Sequence, residues 1–164
     1  MSTRSVQIES YLHTYNQLAE AVEGLPDEAL RWKAAPNVWS VTEVLAHLAD
    51  HHIVVSFRIR ELLAQSTVRF PAFQQDAWVA GQQANEGDAR DHLNAFHALL
   101  VYNSLLLKRL EPEQWELTGV NAKGETVTLD TIIKLFIGHV QTHLAQIARI
   151  RQGESESKGS SCAI

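Results

Sequence analysis

Two histidines near the end of the sequence have the spacing of a metal-binding pair. His139 and His143 are four residues apart, so on a helix they lie one turn apart on the same face. At about 100° per residue, both fall within the apolar stripe formed by Phe136, Val140 and Ile147. Stacked imidazoles in an apolar interior each need a polar partner, and their cations would repel each other. A divalent metal bound through neutral nitrogens satisfies both rings; the alternative is a pair of core histidines bonded to backbone carbonyls.

A third ligand is expected from another helix, because catalytic metals are rarely held by two protein ligands. An earlier helical segment carries His47, His51 and His52. His52 lies at the centre of the apolar stripe of that segment, and the other two lie along its flank. Periodicity therefore ranks His52 and His51 above His47 as inward-facing groups, and it leaves the choice of the third ligand open. The remaining histidines are predicted to lie at the surface or its boundary: His13, His92 and His97.

The residue after His139 excludes one class of metalloenzyme. The zincin motif requires Glu directly after its first His as the general base, and Val140 takes that position here. A three-histidine site leaves the metal its full charge and an open position, so it can activate water for hydrolysis or hold a thiol as a thiolate. Neither route needs a nucleophile from the protein. A non-catalytic, metal-stabilised binding bundle is the third alternative, and a fourth ligand such as His51 would favour it.

Several polar residues on the second and third predicted helices could assist these reactions. The candidates for a hydrolytic base are Glu43, Asp50 and His51, of which Asp50 is predicted to be exposed, off the inward face. For thiol transfer, Arg58 and Asn103 could form a polar rim that contacts the cofactor. The simpler interpretation of Asn103 is a hydrogen bond between two helices.

The elements that must position these side chains are four amphipathic helices. Apolar residues recur at steps of three and four over residues 8–22, 40–62, 89–110 and 128–150. Four helices of about 20 residues predict an all-α four-helix bundle. The pattern fails over residues 66–88, where three aromatic residues predict a long connection that packs over one end of the bundle. Residues 117–127 are predicted to form a short hairpin or an extended loop.

The start of the second helix has the clearest local signature in the chain. Ser40-Val-Thr-Glu43 is a capping box, in which each side chain bonds the backbone N–H of the other residue. The box predicts that this helix begins just after Ser40. His47 lies two turns farther on, so the cap should also hold a candidate ligand in place.

Composition limits the classes of protein that need to be considered. The chain has 164 residues, of which 45% are hydrophobic and 20% charged, as expected for one folded domain; we assign it to residues 1–152, with a polar tail predicted to be disordered over 153–164. Its net charge of −5 disfavours nucleic acid as the main partner.

No signal peptide or membrane-spanning run is found. The single cysteine, Cys162, excludes intramolecular disulfides and cysteine-based zinc sites, and a cytoplasmic protein is predicted.

Three segments resemble motifs of the DinB/YfiT-like superfamily. The second helix contains Trp39-Ser40-Val-Thr-Glu43-Val-Leu-Ala-His47-Leu-Ala-Asp50, which is similar to a family signature with a Trp-Ser cap, a metal-binding His and a following Asp. The fourth helix contains Gly138-His139-Val-Gln-Thr-His143-Leu-Ala-Gln146-Ile147, which is similar to the family's last helix. The Phe73-Gln-Gln-Asp-Ala-Trp78 segment resembles the connection before the third helix. The resemblance covers about residues 5–152.

This resemblance implies a specific metal site and an activity, which periodicity alone does not. It implies a four-helix bundle of DinB/YfiT type with a His-His-His site for a divalent metal, most often zinc or nickel. Carried over to this sequence, the ligands are His47, His139 and His143, and neither His51 nor His52 belongs to the set. Family members are described as metal-dependent hydrolases or as transferases that use a low-molecular-weight thiol such as bacillithiol or mycothiol. Many form homodimers.

The sequence and the resemblance together predict a metal-dependent enzyme with a small-molecule substrate. Because no base is assigned to activate water, we favour transfer of a low-molecular-weight thiol to a small electrophile, through a thiolate held by the metal. Hydrolysis by activated water and a non-catalytic binding bundle are the alternatives. The substrate is expected to enter a pocket at the bundle end, covered by the aromatic segment 70–78.

Overall fold

A computed structural model describes residues 3–66 and 69–153, and within these residues the protein is a four-helix bundle with short additional elements. The predicted polar tail, except Gly153, and Cys162 lie outside the described residues. The helices are α1 (Thr3–Val22), α2 (Asp27–Arg31), α3 (Val41–Ala64), α4 (Gln75–Gly81), α5 (Ala89–Leu107) and α6 (Leu129–Arg151). Two short strands, β1 (Thr118–Val120) and β2 (Thr126–Thr128), pair antiparallel between α5 and α6. The predictions of an all-α bundle and of a short hairpin are confirmed.

The bundle consists of the four long helices α1, α3, α5 and α6, which correspond to the four predicted segments. Helices α1 and α3 each pack against both α5 and α6, so α1 and α3 lie on opposite corners of the bundle. The predicted apolar stripe of α3 is buried along its whole length, from Val41 through Leu48 and Val55 to Leu62. Among the described residues, no helix combines the length and the apolar character that a membrane span requires.

The first half of helix α3, residues 41–52, is covered on its outer side as well, and this corrects the prediction that Asp50 is exposed. Helix α4 and a 3-10 turn at Ala84–Glu86 pack against it, within a segment predicted to be a connection without helices. Asp50, predicted to be exposed, is only 8% exposed and accepts a hydrogen bond from Gln82 Nε2 at 2.5 Å. Burial raises the pKa of its carboxyl group. The prediction failed because helical periodicity describes one helix and takes no account of what packs on its polar side.

The cap of α3 forms as predicted and makes one further bond. Ser40 Oγ accepts from the Glu43 N–H at 3.1 Å, and a Glu43 carboxylate oxygen accepts from the Ser40 N–H at 2.9 Å. The Ser40 hydroxyl also lies 2.6 Å from Asn85 Oδ1, to which it donates. The cap therefore joins the start of α3 to the 3-10 turn that covers it.

Removing this hydroxyl is expected to weaken the helix and to disturb the position of His47, a candidate metal ligand. Ser40→Ala removes two hydrogen bonds at a fully buried position, so we expect a loss of about 2 kcal/mol in the free energy of unfolding. Metal affinity should fall as well, because fraying of the first turns displaces His47. The matched control is Asp88→Ala, which removes the cap of α5, a helix without a candidate ligand. Urea unfolding and metal titration check both effects; unchanged metal affinity in Ser40→Ala would contradict the coupling.

Candidate metal centre

Three histidines from two helices converge inside the bundle. His47 of α3 and the α6 pair, His139 and His143, place one nitrogen each within 4.8 Å of the others. His139 Nε2 lies 3.2 Å from His47 Nε2 and 3.0 Å from His143 Nε2. All three side chains are buried. The structure therefore brings together the three residues that the family resemblance had named.

Burial favours the neutral form of His47 and His139. It lowers the pKa of His47 to about 3, and the neighbouring His143 acts in the same direction. Burial also lowers the pKa of His139, with further contributions from the nearby His51, His143 and His47. Neutral imidazole is the form that binds metal ions, because its unprotonated nitrogen carries a lone pair.

One hydrogen bond fixes the tautomer of His143. Its Nδ1 lies 2.6 Å from Gln146 Oε1, and an amide oxygen only accepts, so Nδ1 carries the proton. The lone pair of the neutral ring is then on Nε2, the atom that faces His139. Sequence analysis did not assign a role to Gln146, although its position three residues after His143 on the buried face could have indicated one.

The arrangement fits a divalent cation better than it fits hydrogen bonds among histidines. His139 Nε2 lies close to two other Nε2 atoms, but it carries at most one proton when neutral and so cannot donate to both. At most one of these two nitrogen–nitrogen contacts can then be a hydrogen bond, and the other is left unpaired in a buried site, which is unfavourable without a cation. Nitrogens each about 2.1 Å from a tetrahedral ion lie about 3.4 Å apart, close to the observed 3.0 and 3.2 Å.

Aromatic side chains surround the three histidines. The Phe73 ring is stacked on His47 with a centroid distance of 5.8 Å, and Trp39 lies 4.9 Å from His47 and 6.4 Å from His143. Trp78 packs edge-on against Phe73 at 5.0 Å and is exposed on its other side. The aromatic connection thus lies over the histidine cluster, where it limits access of water.

His52 and Asn103, both candidates from the sequence, serve a separate polar network in the bundle core. His52 Nε2 lies 2.5 Å from the Tyr11 hydroxyl. Asn103 Nδ2 donates to Ser56 Oγ at 2.7 Å, and Asn103 Oδ1 accepts from Arg60 at 2.9 Å. These bonds connect α1, α3 and α5, which confirms the interpretation of Asn103 as a hydrogen bond between helices. Periodicity ranked His52 above His47 as an inward-facing group, whereas both side chains are fully buried; the His52 ring faces this network and not the histidine cluster.

Arg58 and His51 lie on the same side of α3 as the cluster. The buried Arg58 guanidinium donates to the Pro71 carbonyl at 3.2 Å and so holds the start of the aromatic connection; its role in binding a cofactor stays a prediction. The His51 ring centroid is 3.9 Å from that of His139, yet His51 is outside the group whose nitrogens converge. Glu43 takes part in the cap and pairs with Lys33.

The three remaining histidines take no part in the cluster. His13 and His97 are exposed and His92 is half-buried, as the sequence predicted. His97 stacks on Tyr15 with a centroid distance of 3.9 Å. None of the three belongs to the converging group found among the described residues.

Comparison with known proteins agrees with the fold. A family model described as the DinB superfamily matches residues 11–147. YfiT of Bacillus subtilis strain 168, named as a candidate metal-dependent hydrolase, is 25% identical over 135 residues, covering 82% of this chain and 76% of its own. The YfiT structure, described as a four-helix bundle of unusual topology, superposes with a TM-score of 0.84 at 24% identity, covering 94% of this chain and 91% of the other. A mycothiol-dependent maleylpyruvate isomerase has a TM-score of 0.72 at 10% identity, covering 89% of this chain and 61% of its own.

Proposed function

Since this chain belongs to the DinB superfamily, we propose that it is a metal-dependent enzyme whose ion is held by His47, His139 and His143. The observation that carries this proposal is the convergence of three buried imidazole nitrogens from α3 and α6. Imidazole suits both zinc and nickel, and we propose one of these two ions. The names of relatives such as YfiT support metal dependence.

The residues of this chain prepare the site for such an ion. A divalent metal bound by neutral imidazoles acts as a Lewis acid and lowers the pKa of a coordinated thiol or water. Gln146 holds the proton of His143 on Nδ1 and keeps Nε2 available. Phe73 and Trp39 exclude water from the flanks of the cluster, which strengthens electrostatic interactions inside it.

We further propose that the reaction transfers a low-molecular-weight thiol to a small electrophile. Support comes from what surrounds the site: Val140 replaces the zincin base, Asp50 is bonded to Gln82, and Glu43 is bonded to Lys33 and the helix cap. A thiol is a much stronger acid than water, so a thiol on the metal would release its proton to solvent without a base from the protein, whereas activation of water depends on such a base more strongly. The mycothiol dependence of a protein with the same fold is consistent with this choice.

Hydrolysis remains the second candidate function, and the observation that favours it is the naming of several relatives as candidate hydrolases. A purely structural metal site is the third. Structural zinc sites are closed by four protein ligands, and only three nitrogens converge among the described residues.

Titration of the cobalt-substituted protein separates thiol transfer from hydrolysis. Addition of a small thiol, such as 2-mercaptoethanol or cysteine, is expected to produce a thiolate-to-cobalt charge-transfer band. Acetate and phosphate serve as oxygen-donor controls, and the His139→Ala/His143→Ala variant controls for cobalt bound elsewhere. A spectrum that responds to acetate or phosphate but to none of the thiols would favour hydrolysis and end the transferase proposal.

We also propose a homodimer, as the family resemblance implies. Helices α3 and α5 present an exposed apolar face that a second copy could cover, formed by Ile53, Phe57, Tyr102 and Leu105. Light scattering is expected to give twice the 18.3 kDa mass of one chain, and a monomer mass would contradict the proposal. The cytoplasmic location stays a prediction.

A further inference from the structure

His51 has an unusual position for a buried polar side chain. It is 1% exposed, and neither of its ring nitrogens has a hydrogen-bond partner. Among the buried histidines of the described residues, His51 alone lacks a partner on both nitrogens. Burying an imidazole without any hydrogen bond costs free energy, and a bound group that offered it a hydrogen bond would recover part of that cost.

His51 lies beside the metal cluster without joining it. Its ring centroid is 3.9 Å from that of His139 and 6.1 Å from that of His47. The three converging nitrogens lie within 4.8 Å of one another without any contribution from His51. A group at this position borders the cluster, and a ligand on the ion would come within reach of it.

Two aromatic rings pack against the His51 ring, but neither of them determines which of its nitrogens carries the proton. Phe136 stacks on it with a centroid distance of 5.8 Å and an interplanar angle of 14°, and Phe73 lies 6.2 Å away. His143 is different, because Gln146 determines which of its nitrogens is protonated. The neutral His51 ring has one donor and one acceptor, and no protein hydrogen bond decides which nitrogen is which.

We propose that His51 is the residue that hydrogen-bonds the molecule sharing the metal with the three histidines, and that this molecule presents a small anionic atom, a thiolate sulfur or a carboxylate oxygen. The inference rests on the proposed function, since it assumes an ion at the cluster. His51 donates its N–H to the anion, and this contact gives a partner to one of the two ring nitrogens that have none within the protein. A fourth metal ligand is the competing assignment, and the experiment below distinguishes the two.

The test uses cobalt-substituted protein and three substitutions of His51. His51→Phe keeps a planar aromatic ring, slightly larger and without polar atoms, His51→Leu is a second apolar variant, and His51→Gln keeps a side-chain donor. His13→Gln, at an exposed position, controls for the loss of a histidine. Cobalt content and affinity are measured by elemental analysis and chelator competition. Binding of azide and of 2-mercaptoethanol is followed by visible absorption.

We expect all variants to bind one equivalent of cobalt with affinities within about threefold of the wild type. Azide and 2-mercaptoethanol should bind about tenfold more weakly to His51→Phe and His51→Leu, the effect of losing one hydrogen bond to a charged group. His51→Gln should recover most of this loss. The metal-free His51→Phe protein should melt at the same or a higher temperature, because an unsatisfied buried group has been removed.

Three results would overturn the inference. Loss of cobalt in all three His51 variants would identify His51 as a fourth ligand. Wild-type affinity for both probes in His51→Phe and His51→Leu would show that His51 does not touch the bound molecule. In both cases the proposed metal site stands. Absence of cobalt binding in the wild type would instead end the proposed function, and this inference with it.

Discussion

Replacement of both His139 and His143 by alanine is expected to abolish specific metal binding. The double substitution removes two of the three nitrogens that converge in the cluster and leaves His47 alone. Binding free energies of about 10–16 kcal/mol for four-ligand zinc sites correspond to roughly 3 kcal/mol per ligand. Loss of two ligands should therefore weaken binding by more than about 10³-fold. Elemental analysis of protein purified without chelators, followed by competition titration, measures the change.

A buried histidine outside the cluster provides the matched control. His52→Ala also opens a cavity in the core and breaks a bond to Tyr11, so it should lower stability by a few kcal/mol. It should still bind one equivalent of metal. Equal metal content in the wild type and the double variant would contradict the assignment of the site, and metal loss in the His52→Ala variant would point to general unfolding instead.

Acidification of the metal-free protein is expected to cause the second large effect, a steep loss of stability below about pH 6. Burial lowers the pKa of His47 and of His52 to about 3 in the folded protein, whereas histidine in an unfolded chain titrates near pH 6.5. Between these values the unfolded chain binds one more proton at each histidine. The free energy of unfolding therefore falls as the pH falls, by about 1.4 kcal/mol per pH unit for each of the two.

Over two pH units this effect amounts to about 5 kcal/mol, which is comparable to the whole stability of many domains. His51 and His139, whose pKa values are also lowered by burial, act in the same direction. Asp50 acts in the opposite direction, because burial raises its pKa and protonation then favours the folded state. Urea unfolding followed by circular dichroism at pH 7, 6 and 5 measures the slope.

The His52→Phe variant tests the origin of this slope. It removes one of the two histidines whose folded pKa is about 3, so the pH dependence should become less steep by about 1.4 kcal/mol per pH unit. Stability that stays constant between pH 7 and pH 5 in the wild type would contradict the explanation. Saturating zinc should increase the free energy of unfolding near pH 7. This stabilisation should disappear as the pH falls, because protonated histidines do not bind zinc.

The features that the sequence determined correctly depend on residues close together in the chain. The capping box needs Ser40 and Glu43 at a spacing of three, and the convergence of His139 and His143 in the cluster needs a spacing of four. Both spacings are properties of a single helix. The apolar stripes likewise predicted four long helices, although α5 ends at Leu107 and not at residue 110.

The identity of the third histidine in the cluster depended on tertiary structure. His47 and His52 are five residues apart, which places them about 140° apart around the axis of α3. Because α3 packs against both α5 and α6, both side chains are buried but face different neighbours: His47 meets His139 of α6, and His52 meets Tyr11 and Phe96. Periodicity shows that a side chain points inward, and only the packing of the helices shows which residues it meets there.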